Sequence, residues 1–189
     1  MTGIICFHIN LMVFYTTLMF TNIPDISSTG KKFQNEINYK NVIIGDSQTP
    51  YVDMNTSKAS RIPYLCKGGQ GVNWLRDRLS TYEVKEDVEN VILVIGTNGV
   101  FGKYLKDDIN GLFSEIKRCF PKAKILVVQG SWGWTKGNHV TSEFVRNYYK
   151  QYKNLGGIII EPPIGEIEPH QNHPVYSKIG KNLDTNYLK

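Results

Sequence analysis

The stretch Asn41-Val42-Ile43-Ile44 running into Gly45-Asp46-Ser47-Gln48-Thr49 is a short apolar run stopped by a glycine-led turn. An unbroken run of this kind, without polar residues at alternate positions, is the pattern of a strand covered on both faces in a parallel sheet. Three more runs share it. Val91–Ile95 stops at Gly96, Lys124–Val128 stops near Gly130, and Gly157–Ile160 stops before Pro162-Pro163. Arg61–Cys66 is a weaker fifth candidate, and Pro63 would confine it to a sheet edge or a strand start, because proline has no N–H to give to a ladder.

Helical spacing fills the intervals. Leu105, Ile109, Leu112, Phe113, Ile116 and Phe120 recur at three and four residues, and Pro121 closes the segment. Val72, Leu75 and Leu79 predict a shorter helix. Phe144, Tyr148, Tyr152 and Leu155 predict another, stopped by Gly156-Gly157, and Val175–Leu183 reads as a short last helix. Strands alternating with helices imply right-handed βαβ units. The expected fold is α/β: a three-layer α/β/α sandwich around a mostly parallel sheet of about five strands, flavodoxin-like in outline.

At 189 residues the chain has the size of one ordinary domain, which argues against a separate cofactor module. Lys and Arg number 22 against 17 Asp and Glu, and the surplus is spread along the chain in no basic block, so nucleic acid is not an expected partner. Three cysteines, Cys6, Cys66 and Cys119, are too few for a disulfide framework. Residues 1–22 read as a hydrophobic leader, since Ile4–Phe20 carries no charge; it suits a signal-peptide core or a marginal membrane anchor, and equally a stretch packed on the domain. Residues 23–40 are a polar lead-in, and 41–189 form the domain. The expected location is therefore the secretory pathway, outside the cell or at a membrane touched through residues 4–20. The sequon Asn55-Thr56-Ser57 fits that setting, though such triplets also arise by chance. Oligomeric state is not legible.

In open α/β sheets ligands bind beyond the carboxyl ends of the strands, so the residues just after each run are the candidates. A serine hydroxyl needs a base to take its proton, and a tight turn at a strand end presents Ser47 clear of the sheet. A base titrating near neutrality points to histidine, and His173, followed by Pro174, is the best placed. Negative charge developing on an ester oxygen calls for preorganised donors: the backbone of Gly68 or Gly69 after the second run, and the side chain of Asn98 after the third. Taken singly, each of these is more often an ordinary turn. Their order along the chain is what carries the reading.

Serine in Gly-Asp-Ser, a later glycine, asparagine in Gly-x-Asn and a C-terminal histidine before proline resemble the four blocks of the SGNH hydrolases, also called the GDSL esterase family. Lys67-Gly68-Gly69 followed by Trp74-Leu75 is also similar to the second block of small members. The resemblance spans Val42 to about Leu183. It implies a serine esterase with Ser47 as nucleophile and His173 as base. The oxyanion hole would comprise the Ser47 and Gly68 or Gly69 amides and the Asn98 side chain, with Gly68 preferred. No cofactor and no metal are implied, and the substrate is a small-molecule or glycan acyl ester. The chain departs from the family at two points. Gly99 stands where the third block has an acid, and His170 stands where the last block has the Asp that orients the base. Without that Asp, a Ser–His pair could be oriented by a backbone carbonyl, by Glu166 or by Glu168. The rival reading is an SGNH-fold binding protein with weak or no turnover, because crippling the acid of a serine protease triad lowers kcat about 10⁴-fold.

Other features have blander readings. His170 and His173 with Glu161, Glu166 and Glu168 carry ligand types suited to zinc, but the carboxylates flank prolines and read as solvated loop. Trp132 and Trp134, with His139, follow the fourth run and would line the substrate mouth or form a hydrophobic lid. Tyr148, Tyr149 and Tyr152 read as core. A flavodoxin-like nucleotide binder is disfavoured, since no GxGxxG follows the first run.

Overall fold

The computed structural model describes residues 40–100, 106–130, 142–162 and 174–189, all within the compact unit Ile37–Lys189. Five strands form one parallel sheet: β1 Asn41–Gly45, β2 Ser60–Cys66, β3 Asn90–Val94, β4 Lys124–Val128 and β5 Ile158–Ile160. Their spatial order is β2-β1-β3-β4-β5. All five apolar runs are strands. Pro63 is exposed on β2, an edge strand whose register against β1 shifts between the pairs Ile43–Arg61 and Gly45–Cys66, so the missing N–H falls where the ladder is already interrupted.

The helices are α1 Thr49–Asp53, α2 Val72–Ser80, α3 Thr97–Val100, α4 Ile109–Cys119, α5 Ser142–Asn154 and α6 Pro174–Asn186. The pleat sends alternate strand residues to opposite faces. Val42, Ile44, Val91, Leu93, Ile125 and Val127 pack with α2, α4 and α5 on one side. Ile43, Ile92, Val94, Leu126 and Val128 pack with Val52 of α1 and Val175, Tyr176, Ile179 and Leu183 of α6 on the other. The three expected layers are present.

Three local differences from the sequence reading have physical causes. α4 begins at Ile109 and not near Leu105, because the Asp108 side chain accepts a hydrogen bond from Gly111 N at 2.8 Å and caps the helix there. α5 turns Val145, Tyr149 and Tyr152 into the core and leaves Phe144 49% exposed, so Phe144 is not a core position. α1 was not expected; Pro50 in its first turn reads as a loop residue but is well tolerated there.

The sequon is built into this scaffold. Asn55 Nδ2 donates to Tyr51 O at 2.8 Å, the Thr56 hydroxyl bonds Asp184 Oδ1, and Asp184 Oδ2 accepts from Ser57 N and Ser57 Oγ, each at 2.8 Å. Cys66 and Cys119 are free thiols. No helix among the described residues is long and apolar enough to cross a membrane. Cys6 and the hydrophobic stretch 4–20 lie outside the described residues.

Candidate active site

The order β2-β1-β3 places the segments after those three strands side by side, with strand axes about 4.8 Å apart. Here the strand order reverses, the switch point at which α/β sheets open a crevice. Gly68 follows β2, Ser47 follows β1 and Asn98 follows β3.

The turn that carries Ser47 is tightly determined. Gly45 has φ +146°, and a Cβ there would overlap Val94 O of the adjoining strand, so only glycine lets β1 and β3 approach this closely. Asp46 N then donates to Val94 O at 2.8 Å, and Asp46 Oδ1 accepts from Gln48 N at 2.9 Å, closing a turn that leaves Ser47 half-buried between them. Asp46 is 2% exposed, its Oδ2 has no partner, and none of the ion pairs among the described residues reaches it. Burial pushes its carboxyl up to about 7, against the downward pull of the Gln48 N–H.

The loops after β2 and β3 close on this turn. Lys67 N donates to Gly45 O at 3.0 Å, which brings the β2 loop over β1. A Cβ on Gly68 would lie 3.6 Å from Ser47 Cβ, in ordinary contact. Gly69 has φ +70° and open space beside it. Asn98 lies in α3, a single turn, and its Nδ2 donates to Gln70 O at 2.7 Å. One amide hydrogen is thereby fixed, and the second takes no part in that bond. Gln48 Nε2 donates to Thr97 Oγ1 at 2.6 Å, tying the Ser47 turn to α3.

Tyr149 anchors the floor beneath. Its hydroxyl donates to Ile95 O at 3.0 Å and accepts from Gly130 N at 2.9 Å, joining the carboxyl ends of β3 and β4. A Cβ on Gly96, φ +110°, would come within 2.8 Å of that hydroxyl. Beside it, Tyr148 OH donates to Asp107 Oδ2 at 2.8 Å, and the space next to the Gly99 Cα is filled by that same carboxylate oxygen. Burial raises the Asp107 carboxyl above its usual range.

Ser47, Gly68, Gly69 and Asn98 are thus brought to one rim. His173, His170, Glu166, Glu168, Trp132, Trp134 and His139 lie outside the described residues. The helix that follows His173 is placed nonetheless: Tyr176 of α6 stacks on Tyr51 of α1, ring centroids 5.2 Å apart and 27° between planes. Sequence reasoning did not single out Asp46, Gln48, Thr97, Tyr149 or Asp107 as site residues. A glycine after Asn98 was the one hint, since it leaves room for a group from elsewhere. No group of three or more His, Cys, Asp or Glu side chains suited to a metal occurs among the described residues.

No family profile and no curated protein sequence matches this chain. Solved structures do. A Streptococcus pneumonia protein described as a candidate platelet activating factor aligns over 93% of this chain and 97% of its own, with TM-score 0.57 and 15% identity. A lipolytic protein of the G-D-S-L family from Veillonella parvula covers 77% of this chain and 98% of its own, with TM-score 0.53 and 13% identity. A carbohydrate esterase family 2 enzyme with a carbohydrate-binding domain, from Corynascus thermopiles, covers 78% and 65%, with TM-score 0.50 and 15% identity. The chain has the fold of the SGNH, or GDSL, hydrolases.

Proposed function

We propose that the protein is a serine ester hydrolase. The observation that carries this is the meeting of Ser47, the Gly68 backbone and the Asn98 amide at the switch point of the sheet. Ser47 Oγ attacks the ester carbonyl carbon while His173 takes its proton. The oxyanion receives N–H donors from Ser47, from Gly68 or Gly69, and from the second hydrogen of Asn98 Nδ2. Attack makes the bond from Ser47 Oγ to the acyl carbon; collapse of the tetrahedral intermediate re-forms the carbonyl and breaks the bond to the alcohol, which His173 protonates, and water activated by the same base then releases the acid. The stacking of Tyr176 on Tyr51 supports His173 as the base, because these residues lie one helical turn beyond His173 and Ser47. No cofactor enters these steps. The substrate class is a small acyl ester, such as an O-acetyl group on carbohydrate: a domain this short has little room for a deep acyl tunnel, and a carbohydrate esterase shares the fold.

Purified protein is expected to cleave p-nitrophenyl acetate faster than the palmitate ester and to be labelled at Ser47 by a fluorophosphonate, both activities disappearing in Ser47→Ala. A strong preference for the long chain overturns the substrate class. Neither cleavage nor labelling overturns the hydrolase and leaves the binding-protein reading, which the loss of an Asp at position 170 favours.

A further inference from the structure

We propose that Asp107 is a positioning residue for Asn98, closing a ring of contacts that holds the Asn98 amide from both sides. The inference rests on Asn98 being an oxyanion donor. α3 has four residues, too few to hold a helical turn in place by its own hydrogen bonds, so what touches it sets its position. On one side Asn98 Nδ2 is held by Gln70 O at 2.7 Å. Three residues further on, Asn73 of α2 grips the two peptide units flanking Asp107: its Nδ2 donates to Lys106 O at 3.0 Å and its Oδ1 accepts from Asp108 N at 2.9 Å. Asp107 Oδ2, held by the Tyr148 hydroxyl, then packs on the Gly99 Cα so closely that any Cβ would overlap it and lie 2.6 Å from the Tyr148 oxygen. Gly99 is bonded to Asn98, and the ring is complete: Asn98, Gln70, Asn73, Asp107, Gly99. Asp107 Oδ1 is buried without a partner, which stability alone does not explain. This chain has a glycine after Asn98 and brings a carboxylate against it from the residue before the α4 cap.

The test uses Asp107→Ala, Asp107→Asn and Gly99→Ala. Two quantities are measured: kcat and KM on p-nitrophenyl acetate per fluorophosphonate-titrated site, and NMR hydrogen exchange of the Asn98 side-chain amide. Asp107→Ala is expected to lower kcat about 10- to 100-fold, part of the effect of losing an oxyanion donor, with KM within about twofold. Asp107→Asn, which keeps the volume and still accepts from Tyr148, stays within about threefold of the wild type. Gly99→Ala, whose new methyl group meets both the Asp107 carboxylate and the Tyr148 oxygen, falls like Asp107→Ala. Exchange at Asn98 is expected to accelerate in Asp107→Ala and to return to the wild-type rate in Asp107→Asn. An unchanged kcat per active site in Asp107→Ala, or an Asp107→Asn variant as impaired as Asp107→Ala, overturns the proposal. If the wild type neither cleaves esters nor is labelled, the hydrolase reading fails and the exchange rates alone decide the positioning role. If Asp107→Ala does not fold, Gly99→Ala carries the test, and an unchanged kcat per active site in it overturns the proposal.

Discussion

Asp46→Asn is expected to leave stability unchanged in acid and to raise it progressively as the pH increases. The carboxyl at 46 is 2% exposed and has no cation paired with it among the described residues, so its neutral form is the one the fold accepts. Its position titrates at 3.8 when the chain is open and at about 7 when it is folded. The folded state therefore binds the proton more tightly, and stability falls as pH rises between those values. At 1.36 kcal/mol per pH unit, the interval from 3.8 to about 7 amounts to roughly 4 kcal/mol. Asparagine reproduces the neutral acid, with Oδ1 still accepting from Gln48 N, and it does not titrate. Urea unfolding of both proteins from pH 3 to pH 9 isolates the effect, because other groups cancel in the difference. The gap should be near zero below pH 3.8, widen steadily, and level off around pH 7 with the variant the more stable. A gap that is flat with pH, or a wild type more stable than the variant at pH 8, would refute the reasoning, since either result means that the fold uses the carboxylate in its charged form.

Other expectations follow from the same geometry. Gly45→Ala forces a Cβ onto Val94 O at a left-handed backbone and should cost about 3 kcal/mol or more, read by chemical denaturation; a loss under about 1 kcal/mol would show that β1 and β3 separate easily. Tyr149→Phe strands the buried Gly130 N–H and Ile95 C=O and should cost about 1–3 kcal/mol; an unchanged midpoint of unfolding would count against the hydroxyl bridge. Asn98→Ala should lower kcat about 10²- to 10³-fold with little change in KM, and an equal fall in fluorophosphonate labelling rate would accompany it. His170→Asp restores the carboxylate of the last block and is expected to raise kcat at least about tenfold; an unchanged rate means that another acceptor already orients His173.

The strands were legible because a parallel sheet buried on both faces demands unbroken Val and Ile runs, and little else in a soluble chain produces them. Pro63 limited its run to a sheet edge or a strand start, and β2 lies at one of the two edges. Ser47, Gly68 and Asn98 were singled out because turn residues at strand ends are where such a sheet can do chemistry, and the strand order puts the ends that carry them side by side, while their roles stand as proposals. What the sequence hid were partnerships between remote side chains. Nothing near Asp107 points to Gly99, since the link depends on how α4 is capped and where Asn73 falls on α2. Asp46 looked like a polar turn residue, and the burial that raises its titration is visible only in the fold. Phe144 misled because a three- and four-residue spacing fits more than one face of α5.

The layer formed by α1 and α6 has a consequence for biosynthesis. Among the described residues, one face of the sheet is covered by helices that emerge early and in sequence, while the other has only the five residues of α1 until α6 is made. Among these residues, a chain leaving the ribosome would carry Ile43, Ile92, Val94 and Leu126 as an apolar ledge until α6 arrived. Premature stop codons just before Pro174 should therefore yield insoluble protein that chaperones hold, and co-expression of the missing helix as a separate peptide is a direct way to rescue it.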